Sequence, residues 1–339
     1  LNDYLSNIDK GRAIELMRCA KRVIITTHLK PDGDAFGSLV ALATTLKYLG
    51  AEVYTYYTGP LHISFTQLNG AELVTPFDAS RDWPQADLVI IADTGAWSQV
   101  GAMGEHLKAR LDKTLIVDHH ISGDIDAKWK YIDGDAAACC EVLADLIEPL
   151  GGAFDRVVAE SLFVGIASDT GWFKFSNTRP QTLELAARLL RMGVDHAEIY
   201  RRTEQTERVE KLKLMIRALD SLQLVAGDRA AIMVLRAGDF AETGALLEET
   251  ERFVDLPQVV AKVEVVVLIT EPPADQVRLP NLIGLSFRSK PGPAAVNVAN
   301  LAQQFGGGGH ARAAGAKVDA PLDDVIARVR GALGQWMGG

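Results

Sequence analysis

Val23-Ile24-Ile25-Thr26-Thr27-His28-Leu29-Lys30-Pro31-Asp32-Gly33-Asp34 is the stretch whose reading decides the fold. Its first five residues, apolar or β-branched, predict a short buried strand. The strand runs into a histidine and then a turn carrying two carboxylates, where Pro31 stiffens the backbone and Gly33 lets it turn tightly. A helix is expected from Ser38 to Leu49, with Leu39, Leu42, Ala43, Leu46 and Leu49 at helical spacing and Gly50 as its stop. Strand, turn and helix make one unit of a parallel sheet, and the pattern continues. Val53–Tyr56, Leu88–Ala92 and Thr114–Val117 predict three more strands. Runs that are apolar throughout imply a sheet covered on both faces.

In such sheets ligands gather at the carboxyl ends of the strands. Asp93-Thr94-Gly95 follows one predicted strand, and Asp118-His119-His120 follows another. Asp169-Thr170-Gly171 follows residues 157–168, which read as a helix whose end must fold back over the same sheet edge. Singly, these segments read as turns or helix caps. Two adjacent histidines behind an aspartate are harder to place at a sheet edge unless they bind or react. Together the four segments offer only hard oxygen and imidazole donors, which suit manganese or magnesium rather than a thiolate-bound zinc. Two such cations about 3.5–4 Å apart can clamp both the attacking and the leaving oxygen of a phosphoester.

Working outward, Gln181 to Met192 forms an amphipathic helix closed by Gly193. Asp195 to Leu224 is rich in charge, with Leu212, Met215, Leu219 and Leu222 at helical spacing, and predicts a solvated connecting helix. A second domain is expected from Gly227, with strands at 231–235, 263–269 and 282–288 and a helix from Ala294 to Phe305. The expected organisation is therefore a domain over 1–194, a linker over 195–226 and a domain over 227–339. Gly306-Gly307-Gly308-Gly309-His310 reads as a binding loop rather than a flexible linker, because a helix precedes it and His-Ala-Arg completes it. Glycines bring backbone N–H groups close to an anion, and His310 and Arg288 add directed donors.

The bulk properties narrow the partners. A chain of 339 residues has room for two cores. With 48% hydrophobic and 23% charged residues it reads as an ordinary globular protein. A net charge of −9 argues against coating long nucleic acid, which needs many basic contacts to phosphates. A small phosphorylated substrate can instead be met locally. Cys19, Cys139 and Cys140 are not a disulfide framework, and the adjacent pair reads as core residues of a helix. No apolar run approaches the ~20 residues of a membrane span, and Leu1-Asn2-Asp3-Tyr4 does not read as a signal peptide. A cytoplasmic protein without a membrane partner is expected.

The four segments, in this order, resemble the motifs of the DHH phosphoesterase superfamily, named for its Asp-His-His triplet. Phe173-Lys174-Phe175-Ser176-Asn177-Thr178 has the look of that family. Ser286-Phe287-Arg288-Ser289 and the run from Gly306 to Gly315 resemble the DHH-associated nucleotide-phosphate-binding domain of the first type. The compact two-domain form is similar to the oligoribonuclease and 3′,5′-bisphosphate nucleotide phosphatase branch. The resemblance implies an α/β fold, with a parallel-sheet domain bearing helices on both faces and a smaller α/β domain across a cleft. It implies two divalent cations, Mn2+ first, with Mg2+ or Co2+ as alternatives. It assigns His28 and Asp32 to one cation, Asp34, His119 and Asp169 to the other, and Asp93 to both. Asp118 would orient this cluster from behind, leaving His120 to face the scissile phosphate as donor or general acid. Arg288, Gly306, Gly307, Gly308, Gly309 and His310 would hold the far phosphate or sugar.

The implied activity is degradation of short oligoribonucleotides to mononucleotides, with dephosphorylation of 3′,5′-bisphosphate nucleotides such as pAp. The nearest alternative is a phosphodiesterase for cyclic or linear dinucleotides (c-di-AMP, pApA, pGpG). A RecJ-like single-strand exonuclease calls for an added oligonucleotide-binding domain and a basic groove. A pyrophosphatase of the related family would carry a different C-terminal domain, lacking the glycine-rich histidine motif. A non-catalytic nucleotide-binding module would be expected to lack a ligand, and all six are present. Expected partners are short oligonucleotides or nucleotide phosphates and a second copy of the chain, not long duplexes. Trp172, Phe173 and Phe175 are candidates for stacking a base or for packing a core. His62, His106 and His196 match no motif and read as surface or core residues.

Overall fold

The computed structural model describes residues 4–273, 275, 282–292 and 295–337. Leu1, Asn2 and Asp3 of the opening segment and Ala294 of the expected helix lie outside the described residues. The chain divides into two compact units at Thr206/Glu207.

The first unit runs α1 (Lys10–Cys19), β1 (Arg22–Thr26), α2 (Gly33–Tyr48), β2 (Glu52–Tyr57), β3 (Thr75–Pro76), β4 (Leu88–Ala92), α3 (Gly104–Lys108) and β5 (Thr114–Asp118). It continues with β6 (Trp129–Ile132), α4 (Cys139–Leu150), α5 (Arg156–Asp169), α6 (Pro180–Arg191) and α7 (His196–Glu204). Its six strands are all parallel, in the order β3-β2-β1-β4-β5-β6. The continuous apolar runs have a direct cause. Val23, Ile25, Leu88, Ile90, Leu115 and Val117 face a core built with α1, α2, α4 and α5. The alternate residues Ile24, Val89, Ile91 and Ile116 face a second core with Tyr4, Trp83, Val100, Met103 and Leu107. That second face carries the short α3 and irregular segments rather than a full helical layer. Chain progression reverses between β1 and β4, so the crevice where ligands collect lies at their carboxyl ends.

Helices α2 and α5 pack close enough to exclude side chains at three glycines. A Cβ on Gly33 would lie 2.6 Å from Ser168 Cβ, and one on Gly165 would lie 2.6 Å from Asp34 Oδ1. A Cβ on Gly37 would run into the Ser161 carbonyl. This contact carries the start of α2 and the end of α5, hence Asp34 and Asp169, to the same place.

The second unit runs α8 (Val209–Asp220), β7 (Gln223–Val225), β8 (Ala230–Leu235), α9 (Ala237–Thr243), β9 (Val265–Thr270), β10 (Leu282–Ser289), α10 (Val298–Gln303), β11 (Gly308–Gly309), β12 (Ala313–Asp319) and α11 (Leu322–Met337). Its sheet order is β11-β12-β10-β9-β8-β7, antiparallel except for the β8–β9 pair. The single connecting helix expected over 195–224 is instead α7, a break at 205–208, α8 and the strand β7. The stripe expected to pack also differs: Leu214 and Ala218 are the buried residues of α8, while Leu212 and Leu219 are exposed. Among the described residues no helix is long and apolar enough to cross a membrane.

Candidate metal centre

His28 stands two residues beyond β1, on a loop tied down by Leu29 N–H to the Gln99 carbonyl (2.5 Å) and Lys30 N–H to the Thr58 carbonyl (2.8 Å). Asp32 caps α2, accepting the Asp34 and Ala35 N–H groups at 3.0 Å each. The same carboxylate reaches His28, with Oδ1 3.6 Å from Nε2. Asp34 does not cap its own helix. It is fully buried and accepts the N–H groups of Cys139 (2.6 Å) and Cys140 (2.9 Å). The N-cap position of α4 is Ala138, which has no side-chain oxygen, so Asp34 supplies the cap from another element.

Asp93 lies at the centre. It is buried, holds the left-handed backbone conformation (φ 63°), and donates its N–H to the Val117 carbonyl at 3.0 Å. Its Oδ2 is 3.4 Å from His28 Nε2, and its Oδ1 is 3.5 Å from His119 Nε2. On the far side His119 Nε2 is 3.3 Å from Asp169 Oδ2. Asp118, at the end of β5, accepts the N–H groups of His119 (2.7 Å) and His120 (3.1 Å) and takes His120 Nδ1 at 2.8 Å. His120 is thereby fixed by one nitrogen and leaves Nε2 open on a side chain that is 52% exposed.

These separations test for a cation. Distances of 3.3–3.6 Å are long for hydrogen bonds, yet suit donor atoms that share an ion about 2.1 Å from each. Asp93 Oδ1, His119 Nε2 and Asp118 Oδ2 are buried without a hydrogen-bond partner, an arrangement that is costly unless an ion completes it. His28, Asp32 and Asp93 form one group with donor atoms within 4.8 Å of one another, and Asp34, His119 and Asp169 form another. Asp93 also groups with Asp118, His119 and His120. The donor set therefore fits two cations.

The electrostatics agree. Burial opposes a charged His28, but Asp32 and Asp93 outweigh it and push the imidazole up to about 11. Burial likewise opposes a charged His119, and Asp169 and Asp93 push it up to about 11. Burial also opposes ionisation of Asp93, yet His119 and His28 overcome it and hold the carboxyl down to about 2. Asp34 and Asp169 are raised, chiefly by burial, with neighbouring carboxylates adding to it. The cluster thus gathers protons to balance its carboxylates, the role that divalent cations take when bound.

A supporting network went unread in the sequence. Asn177 Nδ2 donates to the carbonyls of Ala137 (3.1 Å) and Asp169 (3.2 Å), and Ala136 offers its carbonyl to His119 Nδ1 at 3.2 Å. Glu141, buried in α4, accepts Ala137 N–H (2.8 Å), Thr182 Oγ1 (2.9 Å) and Arg179 (2.8 Å). The one available signal was an acid placed inside an apolar helical pattern. Cys139 and Cys140 are buried in α4, as expected. Trp172 and Phe173 pack around Phe163, whereas Phe175 is 54% exposed, its ring lying where a Gly171 side chain would be. His62 holds Ser64 at 2.7 Å, His106 stacks on Trp83, and His196 opens α7.

The remaining predicted site residues belong to the second unit. Arg288 on β10 is 3.2 Å from Asp255 Oδ1. Two of the four glycines, Gly307 and Gly309, answer to close strand packing, whereas Gly306 and Gly308 have open space around them. Gly308 and Gly309 pair with Gly315 and Ala314, and a Cβ on Gly309 would lie 2.6 Å from the Ala313 carbonyl oxygen. The N–H groups of Gly306, Gly307 and His310 bond to the carbonyls of Gln303, Ala302 and Ala313. The exposed side chains of His310 and Arg312 crown this hairpin.

Comparison with known proteins follows the same division. The DHH family, N-terminal domain, matches residues 22–166, and the DHHA1 domain matches residues 233–338. A Thermus thermophilus protein named bifunctional oligoribonuclease and PAP phosphatase NrnA is 30% identical over 332 residues, covering 95% of each chain. The crystal structure of an exopolyphosphatase-related protein from Bacteroides fragilis superposes with a TM-score of 0.88 at 21% identity, covering 97% of this chain and 96% of that one. RecJ in complex with Mn2+, also from Thermus thermophilus, shares the fold at a TM-score of 0.55 and 16% identity, over 96% of this chain and 54% of that one. The chain belongs to the DHH family of phosphoesterases, with a DHHA1 domain as its second unit.

Proposed function

We propose that this phosphoesterase hydrolyses short oligoribonucleotides to mononucleotides and removes a phosphate from 3′,5′-bisphosphate nucleotides. The observation that carries the reading is the Asp93-centred cluster, which gathers six acid and imidazole donors at the carboxyl ends of β1, β4 and β5 and the end of α5. The relative named as an oligoribonuclease and PAP phosphatase supports the choice of substrate. In this reading His28 and Asp32 would hold one cation, Asp34, His119 and Asp169 the other, and Asp93 would serve both. The mixture of imidazole and carboxylate favours manganese. When bound, the two cations stabilise charge on the phosphoryl oxygens and lower the pKa of water.

The chain's own residues do the rest. Asp118 holds His120 by Nδ1 and raises its pKa, so Nε2 presents a proton to a phosphate oxygen or leaving group. Asp34, anchored by two α4 N–H groups, keeps its carboxylate fixed in orientation. Phe175 offers an exposed ring for a base. Arg288, held by Asp255, and His310 grip a phosphate or sugar remote from the reacting phosphate.

A product time course with Mn2+ tests this on a dinucleotide, a pentanucleotide, a 20-mer, pAp and cyclic dinucleotides. Mononucleotides from the short oligomers, phosphate release from pAp, slow attack on the 20-mer and no turnover under chelation are expected. Turnover confined to cyclic dinucleotides would replace the reading.

A further inference from the structure

Glu141 is a buried acid in the first turn of α4, yet it does not cap that helix. It is 8% exposed and stands three residues beyond Ala138, the N-cap position. An acid placed there commonly reaches back to the N–H group of the cap residue itself. In this chain the first N–H groups of the helix, those of Cys139 and Cys140, are taken by Asp34. Glu141 Oε2 instead reaches one residue further back and accepts the Ala137 N–H at 2.8 Å. Thr182 Oγ1 and Arg179, at the start of α6, hold the same carboxylate at 2.9 Å and 2.8 Å. A carboxylate buried without such partners would be costly.

The Ala137 N–H belongs to the same planar unit as the Ala136 carbonyl, and in a trans peptide the two point in opposite directions. Glu141, on one side of that unit, therefore fixes where the carbonyl on the other side aims. It aims at His119 Nδ1, 3.2 Å away. A carbonyl oxygen has no proton to give, so Nδ1 carries the hydrogen of this contact. His119 Nε2 is then the nitrogen left for an ion. It is buried without a hydrogen-bond partner, 3.5 Å from Asp93 Oδ1 and 3.3 Å from Asp169 Oδ2. Liganding histidines are commonly held through the other ring nitrogen by a carboxylate or a carbonyl. This chain sets the two in series, carboxylate to peptide to imidazole. Residues 136–138 are all alanine, so the loop has no polar side chain of its own for the task. Taking the Asp93 cluster as a two-cation site, we propose that Glu141 is a positioning residue of that site. Through the Ala136–Ala137 peptide it keeps the proton of His119 on Nδ1 and turns Nε2 to the cation that Asp34, His119 and Asp169 would share.

Mn2+ binding to the full chain, read from the electron paramagnetic resonance signal of the free ion, tests this with three variants. Glu141→Asp keeps the charge but draws the carboxylate back from Ala137 by one methylene. It should weaken one of the two ions about 10–100-fold and spare the other. Glu141→Gln loses the charge but keeps an oxygen within reach of the Ala137 N–H, and should bind both ions nearly as the unaltered chain does. Thr182→Val releases α6 from the carboxylate and leaves the peptide contact in place. It should lower the thermal midpoint with both affinities unchanged. Equal weakening of both ions in Glu141→Asp overturns the positioning role, as does loss of one ion in Glu141→Gln or in Thr182→Val. If the unaltered chain takes up two ions and Glu141→Asp binds both as tightly, the role falls and the two-cation reading stands. If the unaltered chain takes up fewer than two, that reading falls and the role with it.

Discussion

Asp93 combines a backbone conformation that non-glycine residues rarely adopt with a carboxylate set between two imidazoles. Asp93→Ala is expected to lower turnover at least about 10³-fold, as removal of a strong electrostatic stabiliser does. Metal analysis should find it depleted of both ions, and a near-normal rate would remove the shared-ligand role. The two adjacent histidines should separate cleanly. His119→Ala should lose one ion, whereas His120→Ala should keep both and lose turnover; equal metal loss would mean that the roles are reversed. Ion binding should also depend on pH with a definite sign. His28 and His119, pushed up to about 11 without a cation, hold protons at neutral pH that must leave before an ion enters. Apparent manganese affinity should therefore rise with pH across the neutral range, with proton release measurable by titration in buffers of different ionisation heat. The four segments that carry these acids and histidines stood out in the sequence because each follows an apolar strand or helix. Asn177, Glu141 and Arg179 did not, since their partners lie on elements whose neighbourhood the linear order does not reveal.

At the level of elements, the α2–α5 contact sets how closely Asp34 approaches Asp169. Gly165→Ala would press a methyl group into Cys140 Sγ and to within 2.6 Å of Asp34 Oδ1. A loss of about 1–3 kcal/mol, read as a lower thermal midpoint, is expected together with weaker metal binding. Gly331→Ala is the contrast: this α11 glycine has open space around it, and the change should stabilise by about 0.5–1 kcal/mol. The long elements were readable because their periodicity is strong. Short edge strands such as β3, β7 and β11, of two or three residues, carry too little pattern to show. The break between α7 and α8 was hidden because charge continues across it, and α8 misled because its exposed stripe is more regular than its buried one.

For the whole molecule, the proposed division of labour between the two units makes a kinetic prediction. Arg288→Ala and His310→Ala should raise KM for dinucleotides and leave kcat nearly fixed, provided that the grip is equal in ground and transition states. A small synthetic phosphodiester that offers no far sugar or phosphate should be hydrolysed as before, and equal losses on both substrates would make the second unit a structural support. The architecture was legible at this scale because both units alternate strand and helix. The glycine run was less so, since close strand packing and anion binding call for the same residue. The order of the ligand-bearing segments along the chain has a consequence for biosynthesis. All six proposed ligands lie between His28 and Asp169, and the first unit closes at Thr206. On the ribosome, the proposed metal centre can be assembled while the proposed substrate grip has yet to be translated. A nascent chain stalled just after the first unit clears the exit tunnel should already capture manganese while binding dinucleotides more weakly than the full chain.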